Sequence, residues 1–321
     1  MKAIVHQRYG RPGVLELREI DHPEIDDDGV LVRVHATSVN PVDWYVVTGL
    51  VAVRLVGGIR RPKEITLGVD LAGLVEAVGK NVTHLEPGDE VFGTSEASWA
   101  EYAATSAEHV ARKPVEMSFE QAAAFPVAAI TALQALRDKG RVEPGQSVLI
   151  NGASGGVGTF AVQLAKALGA DVTAVCSTRN VEQARALGAD RVVDYTKDDF
   201  TKCGVRHDLM LDIVGSRSVL ACRRVLTPEA TVVVIGGPMT YGGLGPLPHI
   251  AGSILKSRLR RQPVTFMIAK TTTEDLAFLG ELFAAGKLTP VIDRTYPLSE
   301  ASEAVAYLGE GHARGKVILT V

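Results

Sequence analysis

The pattern of hydrophobic and polar positions divides this 321-residue chain into stretches of different texture. Over residues 1 to about 120, short apolar runs are separated by Gly, Pro and Asp, which is typical of a compact, mostly antiparallel β domain. The predicted strands there are Ala3–His6, Val30–Ser38, Gly73–Val78, Glu90–Phe92 and Ala100–Ala104.

From Ser118 onward the pattern becomes helical. Ser118 and Gln121 have the spacing of a capping box, and the alanine-rich run 122–136 that follows predicts a helix. Strands then alternate with helices, which indicates βα units and a doubly wound parallel sheet. The predicted strands of this part are Ser147–Asn151, Asp171–Cys176, Arg191–Tyr195, Asp208–Val214 and Thr231–Ile235.

The last part of the chain has a different organisation. A predicted helix, His249–Arg261, ends in the basic stretch Lys256–Arg261, whose cations favour a solvated helix end over a binding patch. The βα alternation stops by about residue 268, and residues 314–321 predict a final strand that rejoins the N-terminal domain. We therefore expect an α/β chain in which residues 1–121 and 269–321 form the β domain. A Rossmann domain, residues 122–268, is inserted between them.

The glycine-rich turn Asn151–Gly158 carries the strongest chemical signal. Its glycines directly follow an apolar strand, and an amphipathic run begins near Val157. This order lets the backbone approach a dinucleotide pyrophosphate, and the helix N-terminus offers N–H groups and a partial positive charge. The spacing differs from the strict Gly-x-Gly-x-x-Gly, so a glycine turn without a ligand stays an alternative.

The end of the next strand predicts which dinucleotide is bound. In NAD sites a carboxylate at that place holds the ribose hydroxyls. The chain has Cys176-Ser177-Thr178-Arg179 there, and Asp171 lies at the opposite end of the strand. Because a hydroxyl and a guanidinium suit a 2′-phosphate, we expect NADPH rather than NADH, although Arg179 alone is equally consistent with a solvated cation.

Composition excludes some classes of function. Hydrophobic residues make up 46% and charged residues 22%, a normal globular balance, and a net charge of −3 gives no electrostatic reason to expect nucleic acid or an anionic membrane. Neither a signal peptide nor an apolar run of membrane-spanning length is visible, and the three cysteines lack a Cys-x-x-Cys spacing. We expect a cytoplasmic protein with reduced thiols and no membrane contact.

Ordered motifs along nearly the whole chain resemble those of the medium-chain dehydrogenase/reductase superfamily, in its zinc-free quinone oxidoreductase, zeta-crystallin-like branch. They are Asn40–Asp43, Gly68–Gly73, Pro87–Gly93, Ala100–Tyr102, Thr131–Leu136, Asn151–Gly158, Leu187–Asp190 and His312–Lys316. The resemblance implies a GroES-like catalytic domain together with the Rossmann domain. It also implies NADPH-dependent reduction of a quinone or of an activated C=C bond, as in an enone or alkenal.

The zinc ligands of this superfamily have no counterparts in the chain. Zinc members carry a cysteine before a Ser/Thr-Asp pair where this chain has Val39–Asp43, and a His-Glu pair where it has Val69-Asp70. No cysteine precedes Cys176, so we expect no metal site. Without a Lewis acid to polarise a carbonyl, simple alcohol oxidation is disfavoured, whereas quinones and activated C=C bonds remain reducible.

The resemblance also implies individual site residues. Asn40 is expected near the nicotinamide and the substrate oxygen, with Thr131 close by. The Tyr45 hydroxyl is expected to donate to that oxygen, an ordinary core tyrosine being the alternative. The expected cofactor contacts are Ser154, Gly155, Gly156, Val157 and Gly158 at the pyrophosphate, Ser177, Arg179 and Tyr195 at the adenosine phosphate, Val214 and Gly236 at strand ends, Phe266 and Ile268 at the carboxamide, and His312 and Arg314 from the tail.

Two other functions stay open, and the resemblance also implies that the chain forms an oligomer. An enoyl-thioester reductase would need a basic groove for the carrier phosphate, and a non-catalytic NADPH-binding protein would need no reactive groups. The expected assembly is a homodimer, in which the strand Thr231–Ile235 pairs edge to edge with its copy and so covers an exposed edge. The pattern does not identify the physiological substrate.

Overall fold

The computed structural model describes residues 1–63, 65–237, 243–260 and 263–321, and they form two compact units. The first unit contains Met1–Ile130 and Lys270–Val321 with Gly243, and the second contains the described parts of Thr131–Thr240 and Leu244–Ala269. The sequence-based boundaries at 121 and 268 fall before those of the structure. The first boundary of the structure lies inside one helix, Pro126–Gln134, and no change of local pattern marks it.

Strands and helices cover most of the described chain. The strands are β1 Lys2–His6, β2 Leu15–Glu19, β3 Gly29–Val39, β4 Asp70–Val78, β5 Glu90–Thr94, β6 Tyr102–Ser106, β7 Val110–Arg112, β8 Ser147–Asn151, β9 Asp171–Cys176, β10 Arg191–Asp194, β11 His207–Asp212, β12 Leu226–Val234, β13 Val264–Phe266, β14 Ile292–Pro297 and β15 Lys316–Thr320. The α-helices are α1 Pro41–Thr48, α2 Val51–Gly57, α3 Phe119–Ala123, α4 Pro126–Gln134, α5 Gly156–Ala167, α6 Val181–Ala186, α7 Val219–Cys222, α8 Leu247–Arg260, α9 Thr273–Ala284 and α10 Ala301–Gly309. None of the described helices is long and apolar enough to cross a membrane.

The first unit is built on a seven-stranded, mostly antiparallel sheet. Its order is β14-β15-β3-β4-β5-β7, with β6 also paired to β3, and β1 and β2 form a separate hairpin. Alternate residues of the long strand β3, among them Val30, Val32 and Val34, point into the core, as the period of a half-buried strand requires. The tail strand β15 pairs antiparallel with β3, so the last strand shares a sheet with strands from the first hundred residues, as predicted.

The second unit contains a six-stranded parallel sheet in the order β10-β9-β8-β11-β12-β13. This is a doubly wound sheet, as predicted, and its strand order reverses between β8 and β11. The central strands are buried on both faces; Val148, Leu149 and Ile150 of β8 are all inaccessible to solvent. The predicted strands Ser147–Asn151 and Asp171–Cys176 are confirmed residue for residue.

Other predicted elements are corrected by the structure. The predicted helix 122–136 is divided. Helix α3 ends before α4 begins at Pro126, because Pro126 has no N–H to continue a helix, and α4 is followed by a π-helical segment, Ala135–Gly140. The capping box is confirmed, with the Gln121 N–H donating to Ser118 Oγ over 3.2 Å. The strand predicted at Ala100–Ala104 is β6, Tyr102–Ser106, and the predicted helix His249–Arg261 begins at Leu247, with Arg261 outside the described residues.

The edge of the parallel sheet also differs from the sequence-based prediction. Thr231–Ile235 was expected to be the last strand, but it belongs to β12, which pairs with a further strand, β13. With only three residues, β13 is too short to show a period of two in the sequence. The outer strand on this side is therefore Val264–Phe266.

Helix α1 begins in a buried, polar environment. Asn40 is its N-cap, Pro41 takes the first helical position, and a carboxylate oxygen of Asp43 accepts the Asn40 N–H over 2.7 Å. Asp43 is 2% exposed, and this burial raises its pKa from 3.8 to about 7. The neighbouring Asp70 raises the pKa further, while the Asn40 N–H and Lys316 oppose the shift.

We predict that Asp43 makes the protein less stable as the pH rises. The folded pKa lies above the unfolded value, so the folded state binds a proton that the unfolded chain releases, and stability is lost as pH rises through about 7. Between about pH 5 and pH 8, the wild type should lose roughly 2–3 kcal/mol of unfolding free energy relative to Asp43→Asn. Urea unfolding of both proteins measures this, and a difference that stays constant across the range would contradict the prediction.

Candidate functional site

The antiparallel register of the first unit brings three polar residues together. Strand β3 runs antiparallel to both β4 and β15, so its final residues lie beside the first residues of those strands. Asn40 directly follows β3, Asp70 begins β4 and Lys316 begins β15. We call these three residues the polar cluster; their exposed fractions are 3%, 0% and 3%.

Hydrogen bonds fix the orientation of every member of the polar cluster. Lys316 Nζ donates to Asn40 Oδ1 over 2.7 Å and to Asp70 Oδ2 over 3.1 Å. Asn40 Nδ2 donates to the same Asp70 oxygen over 2.9 Å, and more weakly to Ser38 Oγ over 3.4 Å. The amide oxygen of Asn40 therefore faces the ammonium, and its amino group faces the carboxylate.

The Asp70 carboxylate also accepts hydrogen bonds from outside the polar cluster. In addition to the polar cluster, Ser38 Oγ donates to Oδ2, and the Val127 N–H donates to Oδ1 over 2.7 Å. A buried ion pair needs hydrogen-bond partners for its remaining polar atoms if it is not to destabilise the fold. Among the residues that the structure describes, no group of three or more His, Cys, Asp or Glu side chains is placed to hold a metal ion.

Tyr45 lies on helix α1, just over one turn beyond the Asn40 cap. Its side chain is half-buried, and this burial raises the pKa of the phenol above 10. The phenol is therefore protonated at neutral pH and able to donate a hydrogen bond. Thr131 is 9% exposed and lies on α4, in the second unit.

The glycine turn of the second unit has the shape that a pyrophosphate site requires. Gly152 has a φ of +98°, and a Cβ at Gly158 would lie 2.1 Å from the Gly152 oxygen, so neither position accepts a side chain. A Cβ at Gly155 would meet no atom closer than 3.8 Å, which leaves that side of the backbone open. No described side chain caps α5, so the N–H groups of its first turn can bind an anion. These residues fit a dinucleotide.

The predicted adenosine-phosphate residues lie together where β9 and β10 end. Ser177 directly follows β9, Tyr195 directly follows β10, and the Tyr195 N–H donates to the Cys176 oxygen over 3.0 Å. Ser177 is half-buried, whereas Arg179 and Tyr195 are exposed, as groups that receive a ligand from solvent must be.

Sequence reasoning missed a carboxylate at this place, Asp194. Parallel pairing of β9 with β10 sets it opposite Cys176, and it accepts the Thr178 hydroxyl over 2.6 Å. Thr196 donates to it through its hydroxyl and its N–H, at 2.7 and 3.0 Å. The Thr178 bond, ahead of the Thr196 bonds and Lys197, lowers the pKa of Asp194 to about 2. Asp194 thus anchors the turn that carries Ser177 and Arg179.

A second missed residue, Asp212, joins strand ends at the point where the sheet reverses its order. Its Oδ1 accepts the Asn151 amide over 2.8 Å and the Gly215 N–H over 3.0 Å, and its Oδ2 lies 2.9 Å from His249 Nε2. These bonds tie the ends of β8 and β11 to the start of α8. No local pattern indicated the Asn151 and His249 contacts, because these partners lie 61 and 37 residues from Asp212.

The remaining predicted cofactor residues fall in two places. Phe266 is the last residue of β13, and Val214, Gly236 and Ile268 each lie two residues beyond the carboxyl end of a parallel strand; Ile268 is 81% exposed. His312 and Arg314 lie instead in the first unit, exposed in the loop before β15, where the Arg314 N–H donates to Asp293 over 2.9 Å.

Comparisons with known proteins agree with this architecture. The family model described as "Alcohol dehydrogenase GroES-like domain" matches residues 26–115, and the one described as "Zinc-binding dehydrogenase" matches residues 187–319. The first match confirms the expected GroES-like domain. The description of the second concerns that family at large. In this chain the two segments where the resemblance places zinc ligands, Val39–Asp43 and Val69-Asp70, contain neither Cys nor His.

Relatives match over nearly the whole chain. The Mus musculus protein "NAD(P)H oxidoreductase RTN4IP1, mitochondrial" is 34% identical, over 100% of this chain and 89% of its own length. The Arabidopsis thaliana "NADPH-dependent alkenal/one oxidoreductase, chloroplastic" is 33% identical, over 99% and 79%. The solved structure of the quinone oxidoreductase from Coxiella burnetii has 33% identity and a TM-score of 0.88, over 100% of this chain and 99% of that one. The chain belongs to the medium-chain dehydrogenase/reductase superfamily, in its zinc-free quinone oxidoreductase branch.

Proposed function

We propose that this protein is a zinc-independent oxidoreductase that transfers a hydride from NADPH to a quinone or to the activated C=C bond of an enone or alkenal. The observation that carries the proposal is the polar cluster. Asn40 and Asp70, which lie in the two segments where the resemblance places the ligands of zinc relatives, hydrogen-bond each other and Lys316. The names of the relatives, an alkenal/one oxidoreductase and a quinone oxidoreductase among them, support the substrate class.

The second unit holds the cofactor. NADPH, when bound, supplies a hydride to an electron-poor carbon. The N–H groups at the start of α5 bind its pyrophosphate, and Gly155 leaves room for the approach. Ser177 and Arg179 bind the 2′-phosphate, a group that NADH lacks.

The first unit supplies the group that acts on the substrate oxygen. Reduction of a conjugated C=C bond or a quinone places negative charge on that oxygen, and a metal-free site must stabilise the charge with hydrogen bonds. Both ends of the Asn40 amide are engaged inside the polar cluster, so we assign Asn40 to positioning α1. Tyr45 on the same helix then donates to the substrate oxygen. The role of Thr131 stays a prediction of the family resemblance.

The location of the protein also stays a prediction. The number and spacing of the cysteines favour the cytoplasm, whereas the names of two relatives include the words mitochondrial and chloroplastic. Those words describe the relatives, and imaging of a tagged chain in its own cell would decide for this protein.

We predict that the protein binds NADPH at least tenfold more tightly than NADH, about 1.4 kcal/mol, a modest demand on one Arg–phosphate pair. Arg179→Ala should remove most of this preference. Arg191→Ala is the matched control, because Arg191 lies at the opposite end of β10 and faces Asp171 over 3.8 Å. Titration of cofactor fluorescence gives both dissociation constants. Equal affinity of the wild type for the two cofactors would refute the assignment.

We predict that Tyr45→Phe lowers turnover by roughly 10–1000-fold, because one hydrogen bond to the developing oxyanion is lost. Since quinones accept hydride readily, the loss should be larger for an enone than for a quinone. NADPH affinity and melting temperature should hold, because the ring remains. Tyr102, a half-buried tyrosine on β6, provides the control, and the Tyr102→Phe variant should keep the wild-type turnover. If the Tyr45 variant reduces enones at the wild-type rate, Tyr45 is a packing residue.

We predict a homodimer that pairs through β13, the outer strand, in place of Thr231–Ile235. Pro263 O accepts the Val232 N–H, so the next residue, Val264, directs its own N–H away from β12. Val264→Pro should therefore block pairing with a second copy and leave the β12 ladder intact. Light scattering at micromolar concentration should give a dimer for the wild type and a monomer for the variant. A wild-type monomer, or a variant that stays dimeric, would contradict pairing through β13.

A further inference from the structure

A buried asparagine joins the two phosphate-binding segments of the second unit. Asn180 lies three residues after Ser177, at the end of the turn that follows β9, and is 4% exposed. Its Nδ2 donates to Ser154 Oγ over 2.9 Å and to Ser177 Oγ over 3.1 Å. Ser154 belongs to the glycine turn, so one amide group connects the predicted pyrophosphate contact with the predicted 2′-phosphate contact.

The direction of these two bonds determines what the serines can do. An amide NH₂ has two hydrogens, and here each is directed to a different hydroxyl oxygen. A hydroxyl has one hydrogen to donate and two lone pairs. Once a lone pair has accepted from Asn180, each serine keeps its hydrogen for a further partner. Phosphate oxygens only accept, so both hydroxyls are prepared for phosphate.

The reverse orientation of the amide is less favourable. It would turn the Asn180 oxygen towards the serines, take up both hydroxyl hydrogens and bury the NH₂ group without acceptors. In the observed orientation, the atom without a hydrogen-bond partner is the buried Oδ1. A buried carbonyl oxygen tolerates missing partners better than a buried N–H does. The donating orientation is therefore the stable one.

We propose that Asn180 is a positioning residue that aims the hydroxyls of Ser154 and Ser177 at the phosphates of NADPH and so couples the two phosphate subsites. The inference rests on the proposed function, since it requires NADPH in this unit. The Asn180 side chain itself touches no phosphate. Its effect is to hold two hydroxyl oxygens on one rigid amide, which lowers the freedom that each hydroxyl loses when a phosphate binds.

Two substitutions test whether Asn180 contributes to NADPH binding. Asn180→Ala removes the donor to the Ser154 and Ser177 hydroxyls. It should weaken NADPH binding by about 10- to 100-fold, the range for one or two hydrogen bonds to a charged group. Asn180→Asp keeps the size of the side chain but accepts from both hydroxyls and adds a negative charge. It should therefore weaken NADPH further than Ala does. Because the added charge alone also weakens NADPH binding, the distinction from a space-filling role rests on the double-mutant cycle with Ser177→Ala.

Cofactor fragments and a double-mutant cycle test the coupling. Titration calorimetry with 2′,5′-ADP and with ADP separates the 2′-phosphate from the pyrophosphate, and Asn180→Ala should weaken the binding of both. Ser177→Ala should weaken the binding of 2′,5′-ADP in the wild-type background. In the Asn180→Ala background it should have much less effect, because Asn180 no longer orients the Ser177 hydroxyl. Asn81→Asp, an exposed asparagine of the first unit, is the control and should leave all affinities unchanged.

The outcomes distinguish this inference from the function on which it rests. Urea unfolding of each variant shows whether it is folded. A folded Asn180→Asp protein that binds NADPH as tightly as the wild type would overturn the positioning role and leave the proposed function standing. Additive effects of Asn180→Ala and Ser177→Ala would overturn it in the same way. A wild type that binds neither NADPH nor 2′,5′-ADP would overturn both.

Discussion

The buried ion pair between Lys316 and Asp70 is the interaction on which the first unit depends. Removing an ammonium and a carboxylate from water costs several kcal/mol for each ion, and breaking such a pair by deleting one partner typically costs roughly 3–5 kcal/mol. For Asp70 this cost is offset by hydrogen bonds from the Ser38 hydroxyl, the Val127 N–H and the Asn40 amide. For Lys316 it is offset by its contacts with Asp70 and Asn40. Because the pair holds Asn40, it also sets the start of α1 and with it the place of Tyr45.

Charge balance in the same region explains the behaviour of Asp43. One buried ammonium neutralises one carboxylate, Asp70, and a second carboxylate nearby has no cation of its own among the contacts described. Burial therefore moves the pKa of Asp43 to about 7, so that it is neutral over part of the physiological range. The second unit uses a different solution: Asp194 and Asp212 accept hydrogen bonds from hydroxyl, amide and N–H donors that tie strand ends together. Both solutions leave the polar groups near strand ends rigid, which a binding site requires.

How much of this was predictable depends on the distance along the chain over which each feature is determined. Strands such as Asp171–Cys176 follow from local pattern, since a buried parallel strand is an unbroken apolar run between polar ends. The break at Pro126 and the start of α1 at Asn40-Pro41 also had local signals, a missing N–H and a cap followed by proline, that the apolar pattern concealed. The outer strand β13 had none, because three residues show no period. The contact of Lys316 with Asp70, 246 residues away, depends on strand order, as do the approach of Asp194 to Thr178 and the bridge from Asn180 to Ser154.

The central claim is that hydrogen-bonding residues of this chain do the work for which zinc relatives use a metal. The most direct test is the initial rate of NADPH oxidation with a quinone, measured on protein whose zinc content is known from elemental analysis, before and after treatment with a chelator. The account predicts zinc far below stoichiometric amounts and the same rate in both samples. Stoichiometric zinc, together with activity that chelation removes and added zinc restores, would contradict it.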